Sequence, residues 1–212
     1  TGGNQGFNDG NSLFTGKTRI SISGGTVGNL LGAGTGRSVS IPTYCGQMDI
    51  NMTGGKVGNI YGAGSAAFVV STGDVTSVVN ISVTGGEVGN IFAAGKGGDS
   101  SVGPTTTYPA FKPEMPPEKF GSLTGEANIT VGGDALITGN IYASGEGDKP
   151  VAYDSKSNAY LEGKAAVTVE GNSTIKGNVY GGGKGISETG YEKCALVKEN
   201  SQVEILVAGG TV

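Results

Sequence analysis

A chain of 212 residues with 42 glycines, no tryptophan, no histidine and a net charge of −4 excludes several classes of function at once. Without histidine there is no His-based acid/base pair and no His-ligated metal, and 14 basic residues spread among 18 acidic ones offer nucleic acid no cationic face. Glycine follows no period of three, which excludes collagen, and no apolar run approaches the ~20 residues that insert across a bilayer.

What remains is a strand-forming chain. Its apolar content of 36% is mostly Val, Ile and Ala, and no amphipathic helical stretch is present. No signal peptide is visible. Thr1-Gly2-Gly3 repeats Thr53-Gly54-Gly55 and Thr84-Gly85-Gly86, so the chain is expected to be an excised segment that starts inside an earlier repeat.

The first strand is expected at RISIS from Arg19, where Ile20 and Ile22 share a face and Ser21 points the other way. After Gly-Gly comes VGNLLGAG from Val27. The pattern recurs as DINMT from Asp49 before VGNIYGAG from Val57, and as NISVT from Asn80 before VGNIFAAG from Val88. Residues 95–125 then carry five of the chain's seven prolines, so no strand can run through them and a long loop is expected. NITVG from Asn128 and TGNIYASG from Thr138 resume the pattern, and a smaller excursion follows at residues 145–163. AVTVE from Ala166, KGNVYGGG from Lys176 and EILVAGGTV from Glu204 complete it.

The asparagines of the repeated phrase, Asn29, Asn59, Asn90, Asn140 and Asn178, are separated by 30, 31, 50 and 38 residues. A period in this range signals a solenoid, whose units bury an apolar edge only by stacking. Ile22, Met52 and Val83 precede their asparagines by seven residues, Val131 and Val169 by nine. The two extra residues preserve strand parity, so Ile50, Ile81, Ile129 and Val167 can all face inward. The fold class is therefore all-β, a parallel β-helix with about 4.8 Å between coils. Gly-Asn is read as its corner, in the left-handed region, with the amides bonded from coil to coil. A polar binding row is the alternative.

The run GGKVGNIYGAG, residues 54–64, resembles the repeats of large bacterial surface proteins, adhesin-like or autotransporter-like. The likeness covers the chain from about Thr18 to its end. It implies a right-handed, single-stranded β-helix (β-solenoid) of pectate-lyase-like shape with about five to six coils, in an extracellular setting, on a bacterial cell surface or secreted. The repeats imply a single domain over residues 1–212, with residues 95–125 as an inserted wall loop. Function follows from the site, since one architecture hosts many activities.

The leading expectation is a non-catalytic segment for adhesion, binding glycans or a host or cell-surface partner. A polysaccharide lyase or hydrolase and a passive stalk are the alternatives. Enzymes of the resembling shape use wall carboxylates on adjacent coils, with Ca²⁺ or an Arg or Lys base in the lyases. Here the strand acids Asp49, Glu170 and Glu204 are expected at non-matching places, and the two arginines, Arg19 and Arg37, fall in the first coil. No enzyme and no metal or other cofactor is expected. GAGTGRS and GSAAF precede no helix that could hold a phosphate, and GEGDKP and GKGGD lack the calcium nonapeptide repeat.

The candidate binding residues are aromatic. Leu31, Tyr61, Phe92, Tyr142 and Tyr180 each follow the aliphatic of the phrase, and strand neighbours point to opposite faces. If Leu30, Ile60, Ile91, Ile141 and Val179 fill the core, the row faces out and can stack against sugar rings. Reversed parity buries it, and a loop folded over it covers it. Tyr108, Phe111 and Tyr153 are the loop candidates. Cys45 and Cys194, about four coils apart, are expected to be buried thiols rather than a disulfide.

Overall fold

The computed structural model describes residues 13–35, 43–65, 67–73, 75–97, 121–148, 158–187, 189 and 194–212. Among them there is no helix, hence none long and apolar enough to cross a membrane. The strands form two sheets, and every strand pair is parallel.

The first sheet runs from β1 (Leu13–Ile22) through β3 (Thr43–Met52), then β5 (Phe68–Val69) with β6 (Val78–Val83), to β8 (Leu123–Val131), β11 (Leu161–Val169) and β14 (Gln202–Val207). The second runs from β2 (Thr26–Leu31) through β4 (Lys56–Tyr61) to β7 (Glu87–Phe92). It continues through β9 (Leu136–Ile137) with β10 (Ile141–Tyr142), and through β12 (Thr174–Ile175) with β13 (Val179–Tyr180). The strands at one level form a rung: β1–β2, β3–β4, β5–β7, β8–β10, β11–β13, and β14 alone.

Alternating sequence becomes columns. Ile20, Ile50, Ile81, Ile129, Val167 and Ile205 lie in register across the first sheet, as the inward face read from the sequence requires. The four inner members are 1% exposed or less. Val57, Val88, Ile137 and Ile175 from the second sheet fill the same core, as do Ile60, Ile91 and Ile141. Each such side chain contributes about 1.5–3 kcal/mol by leaving water. Residues between the inward ones form outward columns, of which Ser21, Asn51, Ser82, Thr130 and Thr168 make one.

The Gly-Asn phrase is not the corner that the sequence suggests. Asn29, Asn59 and Asn90 lie inside β2, β4 and β7, while Asn140 and Asn178 stand just before β10 and β13. None has positive φ; the left-handed turn falls earlier, on the second glycine of Gly-Gly, at φ 78°, 88° and 84° for Gly25, Gly55 and Gly86. The glycine of the phrase answers a different demand. A Cβ on Gly89 would stand 2.0 Å from the Gly58 carbonyl oxygen of the rung above, so only glycine lets the backbones approach.

The two extra residues of the longer linker enter separately. One lies between Val131 and Leu136, set against Val83 and Glu87; the other lies between Ile137 and Ile141, set against Val88 and Ile91. Each insertion falls between strands, so the inward residues on both sides stay aligned.

The excursions close at their bases. The Gly95 amide donates to the Gly121 carbonyl at 2.6 Å, and the Gly121 amide to Ala67 at 2.8 Å. Residues 98–120, most of the expected wall loop, lie outside the described residues. At the second excursion Asn158 acts as a clasp: its Oδ1 accepts from the Asp148 amide at 3.1 Å and its Nδ2 donates to the Asp148 carbonyl at 2.8 Å.

Candidate functional site

The aromatic row is a real column. Leu31, Tyr61, Phe92, Tyr142 and Tyr180 are in register from β2 to β13. Consecutive ring centroids from Tyr61 downward are 4.8, 4.9 and 5.0 Å apart, with planes within 5°, 3° and 13°. Tyr61 is 3% exposed, Phe92 1% and Tyr142 8%, whereas Tyr180 is 42% exposed.

Strand parity and burial are separate matters here. Ile60, Ile91 and Ile141 join the main core, and the aromatics gather in a second cluster with Leu31. The side turned away from the main core is nonetheless covered for three of the rings. The flat faces that a sugar would stack on are occupied by neighbouring rings, with Leu31 on the other side of Tyr61, so Tyr61, Phe92 and Tyr142 offer no open ring face. Tyr180, at the end of the stack, keeps appreciable exposed area.

A polar row flanks this column, and sequence reasoning missed it. Thr35, Ser65, Lys96, Glu146 and Lys184 form successive parallel bridges, each four residues after its column member. That constant spacing was the available signal. Tyr61 Oη donates to Glu146 Oε2, and Lys184 Nζ donates to Glu146 Oε1 at 2.6 Å. Burial, then the Glu146 hydrogen bond, pushes the Tyr61 hydroxyl far above its ordinary range. The same carboxylate, through its hydrogen bond, raises Lys184. Tyr61 therefore stays a protonated donor, holding the edge of the ring stack and unable to serve as a base.

Ion pairs recur from rung to rung. Lys17–Asp49 at 3.0 Å joins the first and second, and Lys56–Glu87 at 2.7 Å the second and third. Lys96–Asp148 at 3.2 Å joins the third and fourth, and Lys184–Glu146 at 2.6 Å the fourth and fifth. The lysines are exposed and the carboxylates partly covered; surface pairs of this kind are worth about 0–1 kcal/mol each, and their placement is more informative than their strength.

The asparagine ladder forms, with a change of donor. Asn59 Nδ2 donates to Asn29 Oδ1 at 2.8 Å, and Asn90 Nδ2 to Asn59 Oδ1 at 2.9 Å. Where the linker lengthens, backbone amides take over: Asn140 N donates to Asn90 Oδ1 and Asn178 N to Asn140 Oδ1, both at 2.9 Å. These amides bond to one another rather than forming the polar binding row that was the alternative.

The carboxylates also take places that sequence alone misjudged. Asp49 and Glu204 share one column, in the order Arg19, Asp49, Asn80, Asn128, Ala166, Glu204, contrary to the expectation of non-matching places. Three neutral residues separate the two acids, so they cannot work as a pair. Asp49 accepts from Asn80 Nδ2 at 2.9 Å and Gln47 Nε2 at 2.8 Å. Burial alone would raise its pKa, but the bonds from Asn80, Lys17 and Gln47 outweigh that and hold it below the ordinary carboxylate value. A carboxylate so placed is a poor general acid. Glu170 follows β11 and is exposed.

Among the described residues no three His, Cys, Asp or Glu side chains cluster as a metal site requires. Cys45 and Cys194 are buried thiols. Tyr108, Phe111, Tyr153 and Arg37 lie outside the described residues. Protein-family models, curated proteins and solved structures were all compared with the chain, and none matches.

Proposed function

We propose that the chain is a non-catalytic segment of a bacterial surface protein, a right-handed, single-stranded parallel β-helix of about five to six coils that carries adhesive loops outside the cell. The observation that carries this reading is the mutual satisfaction of the wall. Asn59 bonds Asn29 and Asn90, Asp49 bonds Asn80, Lys17 and Gln47, and Tyr61, Phe92 and Tyr142 stack on one another. Such a wall is suited to stiffness, and contact with glycans or a host or cell-surface partner falls to the loops. The candidate segments are residues 98–120 and 149–157, which lie outside the described residues; the residues flanking them are tied together at Gly95–Gly121 and Asp148–Asn158. Loops on a rigid scaffold are where binding residues concentrate.

The test is a glycan and cell-surface binding array read with the full chain and with a variant whose residues 100–117 are replaced by a short Gly-Ser linker. Binding that disappears in the folded variant supports the reading. Binding retained by the variant moves contact back to the wall, and no binding by either leaves a passive stalk. Release of reducing or unsaturated sugar by the full chain overturns the non-catalytic assignment.

A further inference from the structure

We propose that Tyr61 and Glu146 form a reversible one-electron redox site: a one-electron oxidant takes an electron from the Tyr61 phenol while the phenolic proton passes to Glu146. A phenol that loses an electron becomes a strong acid, so it gives a stable neutral radical only where its proton has an acceptor within hydrogen-bond reach. Tyr61 has one, since its Oη donates to Glu146 Oε2. The chain contains no tryptophan, which leaves tyrosine as its most oxidisable aromatic side chain.

The surroundings of Tyr61 favour the step. Lys184 Nζ donates to Glu146 Oε1 at 2.6 Å, which leaves Oε2 to face the phenol. The Asp148 carboxylate, paired with Lys96 at 3.2 Å, also acts on Tyr61, and a second negative charge nearby offsets the positive charge that oxidation adds. Other tyrosines are placed differently. The Tyr142 oxygen accepts from Asn140 Nδ2 at 3.2 Å, and Lys198 Nζ stands 4.3 Å from the centre of the Tyr160 ring, where a cation opposes loss of an electron.

The reaction breaks the Tyr61 O–H bond and forms a carboxylic O–H on Glu146. Its products are a neutral phenoxyl radical, protonated Glu146 and the reduced oxidant. An electron returned by a one-electron reductant draws the proton back and restores the phenol. Tyr61 is 3% exposed, so its radical is kept from coupling with a second tyrosyl in solution. The oxidant need not enter the core either. Phe92 and Tyr142 continue from Tyr61 at 4.8 and 4.9 Å, with planes within 5° and 3°, and this ring contact carries the electron outward. The site is independent of whatever the loops bind.

Flash photolysis with electron paramagnetic resonance tests the proposal on the full chain, with photogenerated tris(bipyridine)ruthenium(III) as the oxidant. A tyrosyl radical that outlives that of free tyrosine is expected in the wild type. Tyr61→Phe should abolish the long-lived signal; it places at the second rung the residue that the third already carries in this column. Glu146→Gln keeps the shape and an acceptor oxygen but takes no proton. A positioned base contributes about 10²–10⁴-fold, so radical formation in this variant should slow roughly a hundredfold. Far-UV circular dichroism confirms that each variant is folded. Formation should also be slower in D₂O than in water, a comparison that needs no variant. The proposal is overturned if the wild type gives no long-lived radical or if the signal survives in Tyr61→Phe. Formation as fast in Glu146→Gln as in the wild type, or indifferent to D₂O, overturns it equally.

Discussion

The backbone amide of Gly95 reaches the carbonyl of Gly121 at 2.6 Å. The proline-rich segment is thereby bracketed by a hydrogen bond that does not depend on the segment's own sequence. Replacing residues 100–117 with a short Gly-Ser linker should shift the melting temperature by only a few degrees, because loop-closure entropy changes slowly with length. A collapse of the melt would mean that the loop, rather than its base, holds rungs three and four together.

Ile81→Asp makes the opposite case. Ile81 is 1% exposed between Ile50 and Ile129, and a carboxylate there has no cation to meet. The expected loss is ~3–5 kcal/mol, enough to unfold a domain of ordinary margin. Chemical denaturation checks it, and a midpoint close to wild type would contradict the inward column.

Along the aromatic column, position should decide the cost. Tyr142 lies between Phe92 and Tyr180 and is 8% exposed, so Tyr142→Ala should cost about 3–5 kcal/mol, as buried aromatics do. Tyr180 stacks on one ring and is 42% exposed; its replacement by alanine should cost about 1 kcal/mol. Equal losses in paired melts would show that Tyr142 and Tyr180 are covered alike.

Asn59→Ala removes one donor and one acceptor from the ladder, its bonds to Asn29 and from Asn90. At about 0.5–1.5 kcal/mol per bond, a loss of about 1–3 kcal/mol is expected. Asn59→Asp keeps an acceptor for Asn90 but has no proton for Asn29, so it should fall between wild type and alanine at neutral pH. An alanine variant as stable as wild type would mean that water replaces the ladder without cost.

Acid should expose the role of Asp49. Its pKa is lower in the folded chain than in the unfolded one, so the stability it contributes is present above the usual carboxylate value of about 3.9 and is lost as the pH falls through the folded value. Asp49→Asn should therefore be less stable than wild type at pH 7, and the gap should narrow toward pH 2. A gap that is constant or widens with acid would place the effect outside the Lys17–Asp49–Asn80 group.

Much of this architecture is written in the alternation of the strands. Ile20, Ile50, Ile81, Ile129 and Val167 fall on one face by period alone, and glycine-rich spacing implies stacking. The turn was misplaced by a few residues because Gly-Gly and Gly-Asn look alike to composition; only φ at Gly55 and the close approach at Gly89 tell a left-handed turn from a tight backbone contact. Parity showed that Ile60 and Tyr61 point apart, but direction carries no information about what lies in that direction. The cover over the aromatics involves Glu146, 85 residues from Tyr61, and the unequal repeat lengths hide such a partner. The acids were misjudged for the same reason, since Glu204 joins the Asp49 column only after both excursions are counted out.

The ion pairs between rungs have a consequence for how the chain finds its register. Similar rungs invite frameshifts: a rung docked one level too far would still find isoleucine beside isoleucine and glycine beside glycine. The charges make such slips distinguishable. If the third rung skipped the second, Glu87 would meet Thr26 in place of Lys56; if the fifth skipped the fourth, Lys184 would meet Lys96 in place of Glu146. Weak as each pair is in the finished fold, together they serve as addresses, giving a repetitive chain a distinct label at each level from the first to the fifth.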